Sequence, residues 1–176
     1  MQLVDRLAGE LRESPVAVEL DDIQATVLRY RPEPYYGTHV MVHVEDAHAG
    51  RTFVQRLTPH VASAADWWKA GEPWISVAIS YEGLVALSVP EDSLRSFPEA
   101  FRVGMAARAG ELRDHGPNAP ENWDKPFGTG EIHIAVSVFS DSEETWRETM
   151  ETVRQHYRGQ AGITVLMNPG LRRSAG

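Results

Sequence analysis

Two segments of this 176-residue chain alternate strictly between apolar and other side chains, and this alternation limits the possible folds more than any other feature. In residues 38–45, the valines at 40, 42 and 44 form one set, and residues 131–139 repeat the pattern with isoleucine or valine at 132, 134, 136 and 138. Alternation with period two is typical of a β-strand with one buried face. The side chains between them, which point to the other face of the sheet, are neither fully polar nor fully apolar. We therefore expect this second face also to be covered, by the rest of the chain or by another chain.

Each alternating segment is followed by a helical pattern and then by another short apolar run. The two units are strand 38–45, helix 47–61 and strand 74–80, then strand 131–139, helix 142–157 and strand 163–167. Two β-α-β units in series predict an α+β, ferredoxin-like fold of the dimeric α+β barrel type, with helices packed on one face of an antiparallel sheet. A further strand at 23–30 is expected to pair with 38–45 by a hairpin.

The predicted units are separated by a helical and loop insertion at about 82–130. It should hold a short helix at 83–87, a longer helix capped by Ser96 that runs to Leu112, and an irregular Pro- and Gly-rich loop at 114–130 anchored by Trp123. The predicted domains are an N-terminal helix and extension at 1–21, a single ferredoxin-like domain at 22–167 and a flexible tail at 168–176.

Charge and composition exclude several classes of function. The chain has 17 Lys and Arg against 25 Asp and Glu, a difference of −8, which does not suit binding to a nucleic-acid backbone. The absence of cysteine excludes disulfides, thiolate zinc sites and thiol nucleophiles. No apolar stretch is long enough for a signal peptide or a membrane span, so we expect a cytoplasmic protein without a membrane partner.

Histidines are the first candidate metal or haem ligands. His39 and His43 share a strand face, but four residues of strand separate their Cα atoms by about 13 Å, too far for one metal ion. His133 could approach one of them across the sheet, and partly buried positions on an open sheet face are the alternative interpretation. The histidines at helix ends and in loops are expected to be cations that suit the helix dipole; they are His60, His115 and His156.

Other groups of residues also have structural explanations. The carboxylates at 141, 143 and 144 open a predicted helix, where the dipole favours anions. The Gly128–Gly130 segment precedes a strand and is therefore not a phosphate cradle. One member of each aromatic pair, Tyr35-Tyr36 and Trp67-Trp68, could be exposed at an interface or an electron-transfer port, although simple packing is the favoured interpretation. The known hydrolase, metalloprotease and nucleotide motifs are absent.

A resemblance to one family is carried by several stretches of sequence. Residues 96–109 read SFPEAFRVGMAARA and are followed by Asp114, Gly116, Pro120, Glu121 and Trp123, while weaker matches lie at 22–28 and 84–90. Together they resemble the amino-terminal half of dye-decolourising (DyP-type) haem peroxidases, from about Asp22 to Val165. Ala25 stands where the family usually has glycine.

The resemblance implies peroxide-dependent oxidation of dyes or phenolic substrates, with haem held mainly by a second half. That second half carries a Gly-x-x-Asp-Gly motif, the proximal histidine and the distal arginine. Residues 168–176 contain no Asp-Gly. We therefore expect a truncated or split protein that is inactive alone, with no catalytic, cofactor-binding or metal residue in this chain, and haem implied by the family only. The expected partner at the open sheet face is a haem-bearing half or a second copy.

Two other interpretations remain open at this point. The chain could be a non-catalytic ferredoxin-like module that binds a ligand or dimerises. It could also be a cofactor-independent, monooxygenase-like enzyme, which only the fold favours.

Overall fold

The computed structural model describes residues 18–28, 35–66, 72–167 and 172–173. Its sheet is formed by β1 (Tyr36–Val44), β2 (Trp74–Ile79), β3 (Ile134–Ser140), β4 (Ile163–Met167) and the short β5 (Arg172–Arg173). The strand order is β2-β3-β1-β4 with antiparallel pairs, and β5 pairs with the beginning of β1. This is the ferredoxin-like arrangement that the two β-α-β units predict.

Seven α-helices accompany the strands in the described part of the chain. They are α1 (Ala25–Leu28), α2 (Ala47–Leu57), α3 (Tyr81–Ala86), α4 (Glu91–Ser96), α5 (Glu99–Ala107), α6 (Ala109–Leu112) and α7 (Glu143–Tyr157). Short 3-10 turns lie at Leu20–Asp22, Thr58–His60, Ala64–Asp66, Gly116–Asn118 and Pro120–Asn122. Among the described residues, no helix combines the length and apolar character that crossing a membrane requires.

The core lies between one face of the sheet and the two long helices, α2 and α7. Phe53 and Leu57 of α2 and Met150 and Val153 of α7 are fully buried against the strands. The strand residues in this core are the predicted inward sets, with Val40, Val42, Ile134, Val136 and Val138 all at 0% exposure. The apolar alternation along the sequence therefore predicted correctly which face of β1 and β3 is buried.

Helix caps also follow the sequence. The Asp46 carboxylate accepts a hydrogen bond from Ala49 N at 2.8 Å and begins α2, and Ser142, not Asp141, caps α7 through Thr145 N. The α2 helix ends at Leu57, earlier than the predicted 61, because Pro59 lacks the N–H that another α-helical turn needs.

The predicted strand at 23–30 is wrong for residues 23–28, which form an isolated bridge and α1; residues 29–30 lie outside the described residues. Both edges of β1 are occupied by other strands, so no edge is free for a hairpin. The segment packs beside β2 instead. There the Gln24 amide donates to Val77 O and accepts from Val77 N, both at 2.8 Å, and so completes the β2 edge as a neighbouring strand would.

The predicted helix from Ser96 to Leu112 is also wrong in detail. Ser96 ends α4, where its hydroxyl donates to Ser93 O, and α5 begins at Glu99 without a side-chain cap. Gly104 then interrupts α5 with φ 74° and ψ 176°, a conformation that residues with a Cβ rarely adopt. Residues 1–17, which hold most of the predicted N-terminal helix and extension, lie outside the described part of the chain. The division into 1–21, 22–167 and 168–176 stays a prediction.

Candidate functional site: an open sheet face and an apolar groove

The sheet face opposite α2 and α7, here called the open face, is only partly covered. Cross-strand pairing places its members side by side, because directly opposed residues share a face. Most are half-buried, and Ala78 is exposed. The set contains His39, Met41 and His43 of β1, Ala135 and Ser137 of β3, and Ser76 and Ala78 of β2.

One end of the open face is aromatic. Phe139 and Trp74 are paired across the strands and nearly buried. Tyr35 meets the Phe139 ring edge-on at a centroid distance of 5.8 Å, and His39 does so at 5.5 Å. His39 Nδ1 is hydrogen-bonded to Ser137 Oγ at 2.8 Å. Tyr35 is therefore packed against the face, and His39 is held within it.

The other end of the open face carries a histidine pair. His133 does approach His43, and their rings stack at a centroid distance of 4.2 Å. His43 Nδ1 donates to Glu131 O at 2.9 Å, and His133 Nδ1 accepts from Val44 N at 2.9 Å. Acceptance at Nδ1 requires a neutral His133 ring with its proton on Nε2. Burial, together with the His43 ring, lowers the pKa of His133 and favours the same form.

The lowered pKa of His133 predicts acid sensitivity of the fold. Below pH about 6.5 the unfolded chain binds a proton at this residue more readily than the folded chain does. The free energy of unfolding therefore decreases as the pH is lowered, by up to about 1.4 kcal/mol per pH unit for this one proton. We expect His133→Asn, whose Oδ1 replaces the Nδ1 acceptor, to flatten this dependence in urea unfolding between pH 7.5 and 5. His133→Ala removes the acceptor and should lower stability at every pH. A wild-type slope in His133→Asn would contradict this assignment.

Beside this end of the sheet, the insertion encloses a groove with a volume of about 1010 Å³. Ser80 and Ile132, which flank β2 and β3, connect its wall to the sheet. Among the described residues, seven large apolar side chains are exposed, and six of them lie in the insertion. Such a concentration of exposed apolar side chains is typical of surfaces that contact a ligand or another protein. The six are Val85, Phe101, Val103, Met105, Leu112 and Phe127, and all but Val85 and Leu112 line the groove.

Hydrogen bonds and ring contacts hold the groove walls in place. Trp123 Nε1 donates to Asn118 O at 2.8 Å, which confirms Trp123 as the anchor of the loop. Gly128 lies so close to the Trp123 ring that a Cβ there would be 2.9 Å from it. Phe101 contacts Tyr81 edge-on at 6.2 Å. The exposed apolar surface is therefore fixed by its own packing.

The remaining candidates do not join this site. Glu143 and Glu144 lie in the first turn of α7, where Glu143 pairs with Arg147, as the helix-dipole interpretation predicts. His60 and His156 lie together away from the open face, and burial lowers the pKa of His156, which disfavours the cation expected at that position. Tyr36 packs against the core, and Trp67-Trp68 lie outside the described residues. In the described ranges, no three His, Asp or Glu side chains gather as a metal site.

Sequence analysis missed the groove. Its residues come from α3, α5 and the 122–132 loop, which the helical periodicity treats as separate elements. One sequence signal for the groove was present: apolar residues are in excess on both sides of Gly104, and a single helix face cannot bury all of them.

The strand order and the two helices on one side of the sheet define a ferredoxin-like α+β domain whose other sheet face is open. Residues 22–172 match the family described as the DyP dimeric alpha+beta barrel domain. Because this match takes in most of the chain, the protein belongs to that family, as the stretch at 96–123 suggests. A search among curated proteins found no match.

Solved structures with the same fold are dye-decolourising peroxidases. An ancestral D-type enzyme matches with a TM-score of 0.71 and 22% identity over 86% of this chain and 34% of its own. A dye-decolourising peroxidase in complex with 2,6-dimethoxyphenol matches with a TM-score of 0.70 and 18% identity, over 90% of this chain and 35% of its own. A peroxidase from Auricularia auricula-judae matches with a TM-score of 0.68 and 18% identity, over 86% of this chain and 33% of its own. The chain thus spans about a third of the length of these structures.

Proposed function

We propose that this chain is the first half of a DyP-type peroxidase and that its open face docks a haem-bearing half. The assembled protein would use peroxide to oxidise dyes or phenolic compounds. The observation that carries the proposal is the open face itself, on a domain whose family match covers residues 22–172. The solved relatives supply about two thirds of their length outside the matched region, which is room for such a partner.

Neither the groove nor the open face fits a haem group. The groove is large enough for a porphyrin, but no histidine is among the described residues that line it. The His43 and His133 rings stack directly on each other and leave no space for a macrocycle between them. His39 is bonded to Ser137 and packed on Phe139. We therefore assign the iron ligand and the peroxide chemistry to the partner, and no reaction step to this chain.

The side chains of the open face are suited to a heterologous sheet contact. Met41 lies near its centre, with the small residue Ala135 beside it on β3 and Ala78 next to Ala135 on β2. A flexible thioether among small neighbours accommodates side chains from an opposing surface. With a net charge of −8 on each chain, pairing of two copies would be opposed by repulsion. Both features favour a different partner over a second copy.

The test is complex formation with a DyP-type haem-bearing half encoded by the same genome, expressed separately and loaded with haem. We expect a one-to-one complex by light scattering, while the chain alone with stoichiometric hemin shows only the broad Soret absorption of free hemin, without the sharpened and shifted band of a ligated haem. Met41→Asp should weaken the complex at least tenfold, because it places a charge in the contact. Gln155→Asp, on the exposed side of α7, is the control and should bind like wild type.

Two results would contradict the proposal. Equal binding by Met41→Asp and wild type would exclude the open face as the docking surface. A homodimer in dilute buffer that Met41→Asp converts to monomer would instead support the alternative, a ferredoxin-like dimerisation module. The cytoplasmic location stays a prediction of the sequence, to be checked by cell fractionation.

A further inference from the structure

A second histidine pair lies where the end of α2 meets α7, on the helical side of the sheet. His60 ends the 3-10 turn that continues α2, and His156 lies in the last turn of α7. Their ring centroids are 5.5 Å apart, with 37° between the ring planes. His60 is exposed, whereas His156 is half-buried, so solvent reaches the pair from the His60 side.

The His156 ring has an unsatisfied nitrogen. Its Nε2 is buried and lacks a hydrogen-bond partner among the described residues. A buried polar atom without a partner is costly, and native proteins usually satisfy it with a protein group, a water molecule or a metal ion. Burial, followed by the charges of His60 and Arg56, lowers the pKa of His156, so the ring is neutral at pH 7 and keeps a lone pair for a ligand.

The separation of the two rings suits a shared metal ion. A tetrahedral zinc ion bound by two imidazole nitrogens at about 2.1 Å places the ring centres about 5 Å apart. The His43–His133 pair provides a contrast, because its rings are stacked and both Nδ1 atoms are already bonded to the backbone. Of these two pairs, His60–His156 has the geometry and the free nitrogen that metal binding requires.

We propose that His60 and His156 bind one divalent transition-metal ion of the kind that prefers imidazole, such as Zn²⁺, and so link α2 to α7. Water would complete the coordination, since no third His, Asp or Glu joins the pair within the described ranges. The nearby Arg56 opposes a cation as it opposes protonation of His156, and this limits the affinity. A bound ion would stabilise the fold, because it binds the native chain and joins two helices distant in sequence.

The test is calorimetric titration of the full chain, free of any affinity tag, with Zn²⁺ alone at pH 7.5. We expect one site per chain and a melting temperature that rises with zinc concentration. His60→Asn changes an exposed residue and should weaken binding at least tenfold while the zinc-free melting temperature stays near wild type. His156→Asn should weaken zinc binding to the same extent, and Arg56→Gln should strengthen zinc binding.

His43→Asn is the matched control and should bind zinc like wild type. Absence of zinc binding by the wild-type chain would overturn the proposal, as would binding that His60→Asn and His156→Asn leave unchanged. Loss of binding in His43→Asn alone would move the site to the other pair and also overturn it.

Discussion

Replacing Gly83 with alanine is expected to lower the free energy of unfolding by about 3 kcal/mol or more. A Cβ at this position would lie 2.1 Å from His133 O and 2.8 Å from the carbonyl carbon, distances that no side-chain rotation can relieve. Helix α3 would have to move away from the strand that begins at Ile134. That movement would also disturb Ser80, whose backbone N donates to His133 O at 3.0 Å.

Chemical unfolding followed by circular dichroism would measure the change, with Gly110→Ala as the control. Gly110 lies in α6, and a Cβ there has no heavy atom within 4 Å. Since alanine is the better helix former by about 1 kcal/mol, this variant should be as stable as wild type or slightly more stable. Similar stabilities for Gly83→Ala and Gly110→Ala would show that the α3–β3 contact is looser than described.

Alanine at two phenylalanines should have very different effects. Phe53 of α2 is fully buried at the centre of the core, so Phe53→Ala is expected to cost about 4 kcal/mol through lost burial and a cavity. Phe101 of the groove is 39% exposed and packs against Tyr81 and Phe97, so Phe101→Ala should cost about 1 kcal/mol or less.

Thermal and urea unfolding of the two variants provide the comparison, with Phe53→Leu as a control that largely keeps the core volume. If Phe101→Ala proved as damaging as Phe53→Ala, the insertion would be part of the folding core and not a surface available for binding. A small loss for Phe53→Ala would contradict the position of the core between α2, α7 and the sheet.

Periodicity was sufficient to predict the central architecture. The strands at β1 and β3 alternate because one face meets α2 and α7, so Val40, Val42 and Val136 signal their burial directly. Caps such as Asp46 have an equally local signal. These features depend on residues close together in the chain, and the sequence displays them.

Features set by distant residues could not be predicted in the same way. The segment at 23–28 is rich in β-forming residues, yet β1 has no free edge, and only the complete strand order shows this. The groove combines α5, interrupted at Gly104, with the 122–132 loop, which is distant from α3 in sequence. The His43–His133 contact was anticipated from strand register, whereas the His60–His156 contact depends on the packing of α2 against α7 and gives no signal in the sequence.

The bidentate contact of Gln24 with Val77 has a consequence for the behaviour of concentrated protein. An unpaired strand margin offers its donors and acceptors to any passing copy, and repeated addition there produces fibres. In this molecule the Gln24 carboxamide occupies the donor and the acceptor of Val77 on β2, and the Val61–Ile75 bridge covers a second position of the same edge. Protection against runaway self-assembly on that flank is thus shared by one side chain and one short backbone bridge.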